Sequence, residues 1–172
     1  MNDHELAIDL ARRAGELLMS IRAGFTGEAG DSALGDLGDR AANELLLEGL
    51  ATARPDDAVL SEESADDPAR LDASRVWIID PLDGTREFRE GRDDWAVHVA
   101  LSVDGRPEVG AVALPSLDRG EALDATQRCA LGHRSRNHDR VIGGGRAIAI
   151  HVHTSSTSTT LVFWSWARRR SG

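Results

Sequence analysis

The chain has no lysine, so its basic side chains other than histidine are its 20 arginines. A P-loop, which needs a lysine behind its glycines to reach phosphate, is therefore absent. A single cysteine, Cys129, excludes an intramolecular disulfide framework and a thiolate zinc cluster. No apolar stretch reaches the roughly 18 residues of a membrane helix. The first residues, Met1 to Asp9, are acidic and lack the basic start of a signal peptide. Positive charge is scarce overall, with a formal net charge of -9 and a pI near 5.1, against the basic footprint of a general nucleic-acid binder. These absences predict a soluble cytoplasmic protein with neither nucleic acid nor membrane as partner. They say nothing of oligomeric state.

What is present is enough for a packed core, since 41% of the 172 residues are hydrophobic. Charge is unevenly spread. Residues 1–123 hold 12 of the 20 arginines and 27 of the 29 acids, for a net of −15, whereas residues 124–172 carry +6 and four of the six histidines. That break predicts one domain over 1–123 and an atypical, irregular tail over 124–172.

Leu6, Leu10, Ala14, Leu17, Leu18 and Ile21 fall on one face of a helix over about His4 to Arg22. The Gly/Asp-rich stretch Glu28 to Gly38 reads as a loop. A second helix is expected from about Asp39 to Ala53, burying Ala42, Leu45, Leu46 and Leu50 and closed by Pro55. "AVLSEES" opens as a strand and turns polar at Ser61; "RVWII" is a buried strand stopping at Asp80. From Trp95 to Asp104 residues alternate, with Val97, Val99, Leu101 and Val103 on one face. Asp104-Gly105 then signals a hairpin into "EVGAVALP". Residues 1–115 thus read as two helices and an antiparallel α+β meander.

The chemistry lies at the ends of the apolar segments: Asp39, Glu62-Glu63, and Asp80/Asp83/Thr85. Pro81 cannot sit inside a helix, and Asp80 does not belong in a strand core unless something compensates its charge. Carboxylates gathered at strand ends suit magnesium, which takes oxygen ligands and is usually held by few carboxylates plus substrate phosphate. Pro81 sets a turn that frees the Leu82 carbonyl and swings Asp83 towards Asp80. Gly84 permits close backbone approach, and the Gly84 and Thr85 amides would open a short helix as an anion site. A calcium EF-hand fails on spacing, because its third, fifth and twelfth positions would be Leu82, Gly84 and Gly91. A phospho-aspartate phosphatase needs its carboxylates two apart, and these are three apart.

"WIIDPLDGTREF", with "LSEES" upstream, resembles the inositol monophosphatase superfamily of magnesium-dependent, lithium-sensitive phosphatases. Arg86-Glu87-Phe88 and "GRDDWAVHVAL" resemble its CysQ-type branch, the 3'(2'),5'-bisphosphate nucleotidases. The likeness covers roughly residues 3–115. It implies the amino-terminal half of a layered α/β/α/β/α fold, with a small phosphorylated substrate and magnesium as cofactor. The implied reaction is removal of the 3'-phosphate from 3'-phosphoadenosine 5'-phosphate; the alternatives are an inositol or sugar phosphatase and an inactive truncated member. It further implies that Glu62, Asp80 and the Leu82 carbonyl hold a first metal and that Asp80 and Asp83 share a second. Thr85, polarised by Asp39, would orient water, and Glu62, Asp83, Gly84 and Thr85 would contact substrate. The family's second half supplies a Trp-Asp motif with no counterpart here, so the tail reads as out-of-frame or unrelated sequence.

Blander readings stand beside these. Alone, Asp39 is a helix N-cap or first-turn acid, and Glu62-Glu63 a solvated pair ahead of a capping box at Ser64 to Asp67. Trp77 and Trp95 read as core. His98 reads as structural, with no assigned role. The tail histidines lack ligand spacing, and Arg168 to Arg170 read as a solvated terminus.

Overall fold

Asn2 starts the first helix, α1 (Asp3–Gly24), with a reciprocal cap: its side chain accepts the Glu5 N–H and the Glu5 carboxylate accepts the Asn2 N–H. The computed structural model describes residues 1–65, 67–116, 150–155 and 158–163. The chain divides into two compact units, Met1–Arg128 and Cys129–Gly172. The predicted boundary near Asp124 lies outside the described residues.

The second helix, α2 (Ser32–Ala53), starts well before Asp39. Asp31 caps it, accepting the Ala33 N–H at 2.9 Å. The glycines that suggest a loop are helical because neighbouring side chains press against them: a Cβ on Gly38 would sit 3.0 Å from Phe88 and 3.1 Å from Leu18. Asp39 is therefore interior to the helix, not an N-cap.

In the first unit, β1 (Ala58–Ser61), β2 (Arg75–Asp83), β3 (Ala96–Val103) and β4 (Arg106–Ala113) form one sheet in that order. A one-turn helix, α3 (Thr85–Arg89), follows β2. The sheet is mixed, not the predicted antiparallel meander, because β1 runs parallel to β2. The link between them is a crossover containing a 3-10 turn, Pro68–Leu71, capped by Asp67; parallel neighbours cannot be joined by a tight hairpin. The Asp104-Gly105 turn has both residues at positive φ, 50° and 73°, as its sequence predicts.

The two long helices pack on one sheet face. Leu6, Leu10, Ala14 and Leu18 of α1 and Ala42, Leu46 and Leu50 of α2 cluster with Trp77, Ile79, Val97, Val99 and Leu101. Phe88 and Trp95 join edge-to-face at 5.1 Å, and the Arg22 guanidinium lies over both rings. At the far end Arg75 bridges Asp57 and Asp3, while the Trp77 indole N–H donates to Asp57. The opposite face of the sheet carries Ile78, Ala96, Ala100 and Val112, also buried, and with them Asp80 and His98.

In the second unit the expected irregular tail contains an antiparallel pair, β5 (Ile150–Ser155) and β6 (Ser158–Phe163), with Val152 opposite Leu161. The serines and threonines of both strands are compatible with this, since threonine is favoured in strands. Among the described residues no helix is long and apolar enough to cross a membrane.

Candidate metal and phosphate centre

Asp80 pairs with His98 across β2 and β3, yet the next pair is Asp83 with Ala96. The first strand thus holds one residue more than its partner over that interval, which is a bulge. Pro81 sits in it with no N–H to satisfy. The Leu82 N–H donates back to Asp80 Oδ1 at 3.2 Å, closing a local turn around the carboxylate. Gly84 follows with φ +88°, a left-handed conformation. A Cβ there would stand 3.2 Å from that of Trp95 and 3.3 Å from the Asp94 carbonyl, so both conformation and space require glycine. The turn delivers Thr85 to the head of α3, whose first N–H groups have no side-chain cap.

Glu62 arrives from the neighbouring strand. Its N–H donates to the Ile79 carbonyl at 3.3 Å, which continues the parallel pairing past Ser61 and puts Glu62 beside Asp80. Asn43 of α2 pins this loop: its Oδ1 accepts the Ser61 hydroxyl at 2.7 Å and its amide donates to the Ser64 hydroxyl at 3.1 Å. The Glu62 carboxylate lies near enough to Asp80 to raise its pKa by like-charge repulsion, on top of burial. Asp39 reaches Thr85 from α2, with Oγ1 to Oδ1 at 3.4 Å; the same hydroxyl lies 3.1 Å from the Leu82 carbonyl oxygen. The close approach depends on Gly35, where a Cβ would meet the Thr85 methyl at 2.8 Å.

The sequence-predicted residues fall into Asp80/Asp83, with Glu62 close enough to raise both but outside their 4.8 Å group, and Asp39/Thr85, joined through the Leu82 carbonyl and Gly84. The sequence reading gave His98 no role, yet the fold sets it beside two of these carboxylates. Its Nε2 is 3.8 Å from Asp83 Oδ2, and Asp80, Asp83 and His98 each offer one ligand atom within 4.8 Å of the others. Finding it required the β2–β3 register, which no hairpin in the sequence fixes. Asn43 and Gly35 were missed for a similar reason, because their roles depend on tertiary approach.

The electrostatics follow from the crowding. Burial, then Glu62 and Asp83, push Asp80 up to about 8. Burial, then Glu63, push Asp39 up to about 7, against the lowering bond from Thr85. Asp83 is raised by burial and by Glu62, whereas burial drives His98 down to about 4. Two full charges at about 5 Å repel by roughly 3 kcal/mol at an effective dielectric near 20. The cluster must therefore take up protons or a cation. Its donors are carboxylates, a carbonyl and one neutral imidazole, so the residues fit a divalent metal ion.

A bulged strand end on a helix-backed mixed sheet gathers carboxylates beside a threonine–aspartate pair, and Asp80, Asp83 and His98 form a group of a size to hold a metal ion. The chain belongs to the inositol monophosphatase family, whose model matches residues 2–160. That match runs beyond the 115 or so residues over which motifs alone carry the likeness. The chain is 58% identical over 126 residues to the 3'-phosphoadenosine 5'-phosphate phosphatase of Mycobacterium leprae, covering 67% of this chain and 46% of the relative. It is 40% identical to the 3'(2'),5'-bisphosphate nucleotidase CysQ of Salmonella typhimurium, covering 66% and 48%. Among solved structures, CysQ from Bacteroides thetaiotaomicron is similar with a TM-score of 0.59 at 32% identity, over 66% of this chain and 42% of that one. The chain spans about half the length of the curated relatives it matches.

Proposed function

We propose that this chain carries the metal-binding half of a magnesium-dependent phosphomonoesterase that removes the 3'-phosphate of 3'-phosphoadenosine 5'-phosphate to give AMP. The carrying observation is the Asp80 bulge, where a buried carboxylate crowded by Glu62 and Asp83 sits next to a Thr85–Asp39 pair. The names of the relatives most like it in sequence support the substrate.

Glu62, Asp80, Asp83 and the Leu82 carbonyl would hold magnesium, which when bound supplies Lewis acidity and favours a hydroxide nucleophile. The chain's own residues do the rest. Asp39, raised to about 7, is a base suited to neutral pH. When it is ionised, the Thr85 hydroxyl donates to it and Thr85 Oγ1 accepts a proton from water. The water's proton passes to Thr85 as the threonine proton passes to Asp39, so the relay is balanced. The Gly84 and Thr85 amides orient the phosphate through N–H donation, and the left-handed Gly84 keeps them turned out of the strand ladder.

The test uses a chimera that continues this chain into the remainder of the Mycobacterium leprae relative. It should release phosphate from 3'-phosphoadenosine 5'-phosphate faster than from inositol 1-phosphate, only with a divalent metal, and lithium should inhibit it. Equal or faster release from inositol 1-phosphate moves the assignment to an inositol or sugar phosphatase. Thr85→Ala should lower kcat by about 10²–10⁴, the usual worth of positioned proton transfer.

A further inference from the structure

We propose that His98 is a direct nitrogen ligand in a mixed imidazole–carboxylate site with Asp80 and Asp83, so that this centre binds zinc- and manganese-class ions more tightly than its oxygen ligands alone would. The inference rests on the metal site of the preceding reading and adds a ligand to it.

The β2–β3 register sets His98 directly across from Asp80, on the same sheet face. Both are almost fully buried, at 5% exposure each. The bulge then brings Asp83 back to the same point, one residue out of step, so that all three offer ligand atoms within 4.8 Å of each other. On the other side His98 pairs with Val112 of β4, which is apolar and buried.

The separation discriminates between roles. His98 Nε2 and Asp83 Oδ2 are 3.8 Å apart, too far for a hydrogen bond. Donors lying about 2.0–2.2 Å from one ion in tetrahedral or trigonal geometry stand roughly 3.3–3.8 Å from each other. The gap is thus the size of a shared cation. Imidazole favours zinc and other later first-row ions, whereas magnesium is held by oxygen. A nitrogen donor among carboxylates therefore widens the metals the site accepts.

The experiment reads the ion, not turnover. The 172-residue chain is loaded with Mn2+ and examined by pulsed electron paramagnetic resonance, where a bound imidazole imprints a nitrogen coupling. The coupling should be present in the unaltered chain and absent in His98→Asn. In parallel, Zn2+ and Mg2+ are titrated calorimetrically into the unaltered chain, His98→Asn and Asp80→Asn. His98→Asn should weaken Zn2+ by about tenfold or more and Mg2+ far less. No nitrogen coupling in the unaltered chain overturns the proposal without needing any variant to fold. A coupling that persists in His98→Asn comes from another histidine and also overturns it. Equal weakening of both ions makes His98 a packing or positioning residue and overturns ligation. Retained binding of every ion by Asp80→Asn would sink the carboxylate site and the phosphatase reading with it. Loss of binding there without a nitrogen signal sinks only the role of His98.

Discussion

In the folded chain Asp80 and Asp39 keep protons that the unfolded chain has already lost. Their values of about 8 and about 7 stand far above the ordinary 3.8. Between pH 4 and pH 8 the native state therefore binds more protons than the unfolded state, and stability falls as pH rises. His98 acts the other way, since its value of about 4 lies below the ordinary 6.5. It contributes one proton to the unfolded side, against two or more carboxylates on the native side. We expect the metal-free chain to melt several degrees lower at pH 8 than at pH 5, by calorimetry or circular dichroism. Solvent screening of the half-exposed Asp39 keeps its own share of the slope below the ~1.4 kcal/mol per pH unit of one full proton. Added Mg2+ should reverse the trend, raising the melting temperature more at pH 8 than at pH 5, because bound metal displaces those protons. Asp80→Asn separates charge from shape. Its side-chain oxygen still accepts the Leu82 N–H, so the metal-free melting temperature at pH 8 should rise by a few degrees, about 1–2 kcal/mol, while Mg2+ stabilisation disappears. A fall in stability would mean that the carboxylates are not in conflict.

The elements that carry these residues were unequally legible. "IIDPLDGT" advertises a break through Pro81 and Gly84, whose backbone restrictions are local, yet β2 runs through it as a bulge to Asp83 instead of stopping at Asp80; Asp104-Gly105 advertises its turn for the same local reason. Helix α1 declares itself by the spacing of Leu6, Leu10, Ala14 and Leu18. The first turns of α2 do not, because Gly35 and Gly38 weaken helix propensity and are there for a tertiary reason. The parallel placing of β1 was equally hidden, since nothing local distinguishes a crossover from a loop. That tertiary reason makes a prediction. Gly35→Ala should improve the intrinsic preference of α2 by about 1 kcal/mol, yet its Cβ would stand 2.8 Å from the Thr85 methyl and displace that side chain. In the chimera we expect near-normal stability but a turnover reduced by about tenfold or more, as misplaced proton-transfer groups require. Thr85→Ser removes the methyl and keeps the hydroxyl, so the Gly35→Ala/Thr85→Ser pair should recover much of the loss. Absence of rescue would show that Gly35 matters for some reason other than Thr85. By the same logic Asn43→Ala should weaken metal binding without touching a ligand, since Asn43 ties the loop that carries Glu62.

At the scale of the whole molecule the decisive quantity is coverage. The chain spans 46% of the Mycobacterium leprae relative, while the family match reaches residue 160, well into the basic, histidine-rich stretch whose composition sets it apart. The candidate centre shows what a half supplies. The donors come from the ends of β1 and β2, from β3 and from α2, and Glu62 is exposed while Asp83 keeps 32% of its side chain accessible. Ligand sites generally bury most of a small ligand's surface, so exposed donors such as Glu62 grip a phosphate ester weakly and leave water free to compete. A partly exposed centre should also hold its metals loosely, because divalent ions need their carboxylates placed in advance. We therefore expect the 172-residue chain, at equal Mg2+ and substrate, to release phosphate at least a hundredfold more slowly than the Mycobacterium leprae relative, a difference of about 2.7 kcal/mol in barrier. The chimera should recover most of that difference, because it adds the remaining length of the relative without altering any residue of the bulge. The comparison is informative in both directions. Turnover by the isolated chain within about tenfold of the relative, roughly 1.4 kcal/mol, would require residues beyond Ser116 to contribute a ligand or a wall to the site, and would end the reading of residues 124–172 as unrelated to it.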